Sequence, residues 1–171
     1  MMASLALWAI AALHAVKAAI TAGQIATGQV DVEGALMVLS WYARDLYWFL
    51  FILTAVLVSM WFHRATRHAF ARGAKLEVNS PAGAVISWFI PILQFVWPFN
   101  IVRTMLVNAG LEKNSVGAWQ ALWVAGFFAT NAAGKLQGTG GAAIGVVADL
   151  MMAGAAIAGA QIVHRLKWPA A

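Results

Sequence analysis

Two charged side chains, Lys17 and Asp149, lie inside long apolar segments near opposite ends of the sequence. An ion within a bilayer is costly unless it is paired or hydrated, so such residues indicate an ion pair or an ion path. Counted along helices, Lys17 lies about 9 Å and Asp149 about 10 Å from the same membrane boundary. The matching depths predict a pair between the first and last helices. It would serve as a structural bridge or in transport, unless Lys17 extends outward to the interface.

One histidine, His14, also falls in the middle of an apolar segment. A haem held between helices needs two axial ligands at one depth, or one ligand and an open position. The sequence offers no obvious second ligand at the depth of His14, so we expect this side chain to hydrogen-bond a neighbouring helix. Single ligation of a haem or chlorin is the alternative. The chain has no cysteine and no His/Glu metal spacing, so we expect no cofactor and no metal site.

A basic run follows the second apolar segment, and most of its members recur at helical spacing. Such a run binds an anionic lipid headgroup or an acidic partner surface, or it serves only to orient the chain in the membrane. The sequence contains no nucleophile–base pair and no phosphate-binding glycine loop, so we do not expect an enzyme. The run consists of Arg64, Arg67, His68, Arg72 and Lys75.

The elements that must position these residues are membrane helices. The chain is 63% hydrophobic and 10% charged, whereas an ordinary soluble domain is roughly 45–50% apolar and about 25% charged. That leaves too little polar surface to cover a water-soluble globule, so the bilayer must be the solvent. The net charge of +5 then belongs to loops that meet lipid headgroups, and we expect no nucleic-acid partner.

Four apolar segments are predicted to cross the membrane, at about 3–22, 46–62, 118–133 and 142–163. No basic residues precede the first segment and no convincing cleavage site follows it, so we expect a retained span and not a signal peptide. Tyr47 and Trp48 at one end of the second segment are expected to anchor it at the interface. The sequence therefore predicts an all-α integral membrane protein, with residues 1–171 forming a single transmembrane helical bundle.

A fifth apolar segment, 82–100, contains two helix-breaking prolines, Pro91 and Pro98. If this segment crossed the membrane, the basic residues outside the apolar segments would divide evenly between the two sides. If it enters and returns, eight lie on one side and two on the other. The positive-inside rule favours the second arrangement. We therefore predict four full spans plus a re-entrant segment, with a kinked full span as the alternative, and both termini cytoplasmic in a bacterial inner membrane.

Two stretches, WFHRATRH (61–68) and SPAGAVISWFIPILQFVWPFNIVR (80–103), resemble a bacterial membrane family, the domain of unknown function DUF4328. The shared pattern is an apolar helix ending in Trp-x-x-Arg-Ala-x-Arg, followed by Ser-Pro, Trp-Phe-Ile-Pro, a second Pro-aromatic pair and an Arg. One departure is Ala82-Gly83, where the pattern has Gly-Trp. The resemblance implies the membrane architecture and no particular activity. The motif residues of the broken segment are Ser80, Pro81, Trp88, Pro91, Pro98 and Arg103.

The absence of catalytic groupings, together with nine tryptophans and helix faces rich in small residues, indicates a function through contact. We expect a non-catalytic accessory or scaffolding subunit of a larger membrane assembly, such as an energy-transducing complex. Its partners would be the bilayer and other membrane subunits that pack against its apolar helix faces. The alternative is a small channel or transporter in which the broken segment lines a path near Lys17 and Asp149.

Overall fold

A computed structural model of the chain describes residues 2–28, 35–136 and 138–166, without the side chains of residues 35–45. Within these residues every regular element is helical and there is no strand, so the predicted all-α class is confirmed. A 3₁₀ turn at Leu93–Phe95 separates the third and fourth of the six α-helices. The helices are α1 (Met2–Thr27), α2 (Ala35–Ala71), α3 (Pro81–Ile86), α4 (Trp97–Asn108), α5 (Asn114–Ala133) and α6 (Gly138–Arg165).

Three stretches of the described helices are long and apolar enough to cross a membrane: α1, Leu46–Ala71 of α2, and α6. At about 1.5 Å per residue, each exceeds the ~30 Å thickness of a hydrocarbon core. These are the lengths and compositions of helices in a membrane protein. The predicted span at 118–133 lies in α5, which is not among the three.

Each long helix extends beyond the apolar segment that predicted it, and α2 differs most. The predicted span begins at 46, directly after the charged pair Arg44-Asp45, but α2 starts at Ala35 and continues through both residues. Helix formation depends on the backbone ladder, and Arg in particular is a good helix former. The helix ends at Ala71, and a Schellman pair of hydrogen bonds from Gly73, where φ is +78°, and from Ala74 closes its last turn. Arg72 and Lys75, predicted to continue the basic helical stripe, therefore lie beyond the end of α2.

The last helix, α6, packs along both α1 and α5. The Ser4 hydroxyl near the start of α1 donates to the carbonyl oxygen of Ala160 near the end of α6. Further along α1, the His14 side chain contacts Asp149, which is nearer the start of α6. The contact positions run in opposite directions along the two helices, so α1 and α6 are antiparallel.

Helix α5 also packs on α6 in the antiparallel orientation. Gly159, near the end of α6, lies against the Trp119 ring near the start of α5. Gly126, further along α5, lies against the Met152 side chain, which is earlier on α6. A glycine at each contact removes the Cβ and allows close approach of the helices. α5 is therefore antiparallel to α6 and parallel to α1.

The second helix packs on α1, also in the antiparallel sense. The Thr54 hydroxyl donates to the Ala6 carbonyl oxygen at 3.5 Å, and the Tyr47 ring packs against His14. Since α2 is antiparallel to α1, and α5 is parallel to α1, the last turn of α2 and the first turn of α5 lie at the same end of the bundle. We call this the hairpin end, because the intervening chain both starts and finishes there.

The segment between α2 and α5 is broken as its prolines predict. Ser80 caps α3, its hydroxyl accepting a hydrogen bond from the Gly83 N–H at 3.0 Å. Helix α3 stops after six residues, and Pro91 lies in the non-helical stretch that follows. Pro98 occupies the first turn of α4, where its missing N–H costs no helical hydrogen bond. The helix then continues to Asn108, past the predicted end of the broken segment at 100.

Aromatic rings fill the core at the hairpin end. The Trp88 ring, in the stretch after α3, lies 5.9 Å from both Phe99 of α4 and Trp119 of α5, centroid to centroid. It also contacts Phe62 of α2 and Trp123 of α5. Phe99 is fully buried and lies 4.7 Å from Trp119. We call Trp88, Phe99, Trp119 and Trp123 the aromatic cluster; it joins α4, α5 and the turn to the last part of α2.

Candidate functional site

The buried carboxylate of Asp149 connects α6 to two side chains of α1. Its Oδ1 lies 2.8 Å from Nδ1 of His14, and its Oδ2 lies 3.0 Å from Nζ of Lys17. The structure thus places Lys17 beside Asp149, as the matching depths predict, and adds His14 as a further partner. We call His14, Lys17 and Asp149 the polar network.

Local helix geometry explains how α1 presents both partners. His14 and Lys17 are three residues apart, so they project from one side of the helix. Ala11 and Ala18 flank them on the buried face of α1. Small side chains at these positions let the two backbones approach closely enough for hydrogen bonds across the interface. The network therefore depends on small neighbours as well as on its own charges.

The arrangement assigns the hydrogen-bonding roles within the network. An ionised carboxylate only accepts hydrogen bonds, so His14 donates from Nδ1 and Lys17 donates from its ammonium group. His14 and Asp149 are both buried, whereas the side chain of Lys17 is 60% exposed. The Tyr47 ring of α2 stands edge-on to the His14 ring at 5.6 Å. The buried negative charge is thus compensated from α1, with α2 covering the histidine.

The network lies near the middle of the two helices and not close to their ends. Lys17 is ten residues before the end of α1, about 15 Å along the axis, and Asp149 is eleven residues after the start of α6, about 16 Å. Both distances exceed those expected from the sequence, because α1 and α6 extend beyond their predicted apolar limits. The two depths still match, which is what permits the contact.

The predicted basic run does not form one surface patch on a single helix. Arg64 and Arg67 are exposed on the last turns of α2, and His68 is partly buried there. Arg72 and Lys75 are exposed in the connection after the helix. All five lie toward the hairpin end, and their binding of lipid headgroups or an acidic partner stays a prediction.

Most motif residues of the broken segment lie at the start of a helix or in the aromatic cluster. Ser80 and Pro81 begin α3, Trp88 lies in the aromatic cluster, and Pro98 is buried at the start of α4. Pro91 is exposed in the turn between them. Arg103 differs from these residues, because it projects from the exposed face of α4.

Within the described part of the chain, no group of three or more His, Cys, Asp or Glu side chains could hold a metal ion. His14 is enclosed by Asp149 and Tyr47. Ligation of a haem or chlorin by His14 stays a prediction.

Sequence reasoning expected His14 to hydrogen-bond a neighbouring helix, but it missed two contacts of this side chain. The contact of His14 with Asp149 was not predicted, although its spacing from Lys17 places both on one side of α1. Tyr47 was expected to be an interface anchor, yet its ring packs on His14 inside the bundle. No local signal identifies that contact, because it depends on how α2 crosses α1.

Comparison with known proteins identifies the family. A family model described as a domain of unknown function, DUF4328, matches residues 24–167. The chain belongs to this family. The match covers α2 to α6 and only the end of α1, so Asp149 lies inside it while His14 and Lys17 precede it. No curated protein and no solved structure matches the chain.

Proposed function

We propose that this DUF4328 chain is a non-catalytic accessory or scaffolding subunit of a larger membrane assembly in the bacterial inner membrane. The polar network carries this proposal. Both oxygens of the Asp149 carboxylate have partners on α1, at 2.8 Å and 3.0 Å. A carboxylate held in this way joins two helices, and a structural bridge of this kind suits a subunit that acts by holding a fixed shape.

The outer surface supports a role in lateral contact. α1 and α2 expose large apolar side chains, including Trp8, Trp48, Phe49 and Ile52. In a bilayer such faces meet lipid tails or the helices of other subunits. The chain can therefore contribute spans to an assembly without offering a polar surface to it.

The proposed architecture is four spans plus a re-entrant segment at 82–100, with both termini cytoplasmic. The shared end of α2 and α5 supports a segment that returns to its starting side. A hydrogen bond of 3.0 Å between the Asn100 amide and the Glu77 carboxylate supports the same return. Helices α3 and α4, of six and twelve residues, are about 9 and 18 Å long, too short to cross ~30 Å.

Cysteine labelling tests this topology, because the chain has no cysteine of its own. Glu112→Cys places a single thiol just before α5, and Lys135→Cys places one just after it. An impermeant reagent added outside intact cells should label the second variant and spare the first. Labelling of Glu112→Cys from outside would reject the re-entrant arrangement.

Extraction from native membranes in mild detergent tests the function. We expect the chain to migrate in a large particle with other subunits, identified by mass spectrometry. A lone monomer or small homo-oligomer under conditions that keep known complexes intact would contradict the proposal.

The second candidate is a small channel or transporter. It is favoured by the exposure of Lys17 beside a buried His–Asp pair, since exposed and buried ionisable groups in contact can pass ions or protons. In liposomes, ion or proton flux that is lost in a folded Asp149→Asn variant would support this candidate. Equal flux in protein-free liposomes would exclude it.

A further inference from the structure

A cleft at the hairpin end lies apart from the polar network and from the aromatic cluster. It has a volume of about 230 Å³ and is lined by Arg103 of α4 and by Lys113, Asn114 and Gly117 around the start of α5. We call it the basic cleft. None of these residues has a part in the function proposed above.

Two cationic side chains from separate elements meet at this cleft. Arg103 and Lys113 are both exposed, and neither forms an ion pair with another described residue. Glu112, the acid beside Lys113 in sequence, neutralises neither of them through an ion pair. Among the described residues, the basic cleft therefore holds two positive charges that have no ion-pair partner.

The fold explains why these two side chains meet. α4 buries Phe99, Val102 and Met105 against the bundle, which leaves Arg103 on its outer side. A reversal at Gly110, where φ is +68°, ends α4 and leads directly into α5. This short connection brings Lys113 into the lining of the same cleft as Arg103.

We propose that the basic cleft binds a phosphate group. A guanidinium ion matches two phosphate oxygens with its planar pair of N–H donors, and an ammonium ion adds a point charge. The Asn114 amide supplies further donors. The volume is several times the ~30 Å³ share of one water molecule, so a phosphate ester fits together with water. The source is an anionic lipid headgroup or a free phosphate, and the two are separated below.

The cleft has free space beside the backbone of Gly117. A Cβ built at this position meets no atom within 4 Å. Gly117→Leu should therefore be accommodated by the fold and should fill the cleft without changing any charge. Ala118→Leu, at the next exposed position of α5, is its matched control outside the cleft.

The test is binding of short-chain phosphatidic acid to the full chain purified in dodecyl maltoside, followed by native mass spectrometry or calorimetry. Arg103→Gln should weaken binding about tenfold or more, as expected for loss of charge-assisted hydrogen bonds. Gly117→Leu should weaken it similarly. Lys135→Gln, which also removes one positive charge at an exposed site, beyond the end of α5, and Ala118→Leu should leave binding unchanged.

Competition by millimolar inorganic phosphate distinguishes the two sources. Displacement of the lipid by inorganic phosphate supports a cleft that takes free phosphate, and no displacement supports a lipid headgroup. Equal weakening by Lys135→Gln and Arg103→Gln would mean diffuse attraction to positive charge and would overturn the proposal. Unchanged binding in both Arg103→Gln and Gly117→Leu would also overturn it.

Discussion

The polar network and the aromatic cluster both fasten helices together, but they do so by different means. In the network one buried carboxylate holds two donors at 2.8 and 3.0 Å. In the cluster, rings from α4, α5 and the turn after α3 pack against one another at centroid distances of 4.7 to 6.1 Å. Hydrogen bonds require particular atoms, whereas apolar packing requires volume. Substitutions in the network should therefore destabilise the protein when they remove a donor or an acceptor. Substitutions in the cluster should destabilise it when they remove volume.

The largest effect is expected in the aromatic cluster. Phe99→Ala should lower the free energy of unfolding by about 4 kcal/mol, because it leaves a cavity at a fully buried site. The measurement is a denaturation titration in mixed micelles. Phe99→Leu keeps most of the volume and should cost only about 1 kcal/mol. Phe89→Ala, at a ring that is 71% exposed, is the control and should change stability by less than about 0.5 kcal/mol. Equal losses in the free energy of unfolding at the two phenylalanines would show that packing in the aromatic cluster adds no stability.

Loss of the carboxylate should have the next largest effect. Asp149→Ala should lower the free energy of unfolding by about 3 kcal/mol, since it leaves buried His14 and its neighbour Lys17 without their acceptor. Asp149→Asn keeps the shape but loses the charge, so it should still destabilise the protein in the same titration. A double variant with His14→Ala should cost less than the sum of the two single losses. Full additivity would show that the hydrogen bond does not couple the helices.

The contact of Gly159 on α6 with the Trp119 ring at the edge of the aromatic cluster should respond more weakly. A Cβ at Gly159 would come 3.3 Å from Nε1 of Trp119, so Gly159→Ala should cost about 1–2 kcal/mol. At Gly140, near the start of α6, a Cβ meets nothing within 4 Å. Gly140→Ala should instead stabilise the helix by about 0.5–1 kcal/mol. The thermal unfolding temperatures of these two variants distinguish the effect of close packing from that of helix propensity. A Gly159→Ala variant that is more stable than the unsubstituted protein would contradict the close packing.

The smallest effect is expected at the exposed member of the network. Lys17→Met should cost about 1 kcal/mol or less, because a side chain that is 60% exposed gains little from its ion pair. Lys135→Met, at an exposed lysine beyond α5, should have no measurable effect. If Lys17→Met destabilised the protein as much as Asp149→Asn, the ammonium group and not His14 would be the main partner of the carboxylate.

The sequence by itself determined the properties that depend on local composition and spacing. Its apolar segments predict the membrane helices, Pro91 and Pro98 predict the broken segment, and the matching depths of Lys17 and Asp149 predict their pairing. These properties depend on residues close together in the chain or on simple counting along a helix. The resemblance to DUF4328 rests on two contiguous stretches of sequence, and the family model that matches residues 24–167 confirms the family.

Apart from the pairing of Lys17 with Asp149, only the tertiary structure decided which side chains meet across helices. His14 contacts Asp149 across 135 positions of sequence, and Tyr47 covers that histidine although its sequence context suggests an interface anchor. Likewise, Arg103 and Lys113 share a cleft because of the reversal after α4. Helical spacing defines the face on which a side chain lies, but the rotation and crossing of packed helices decide what it touches. Those depend on packing along the whole interface, which no local pattern encodes.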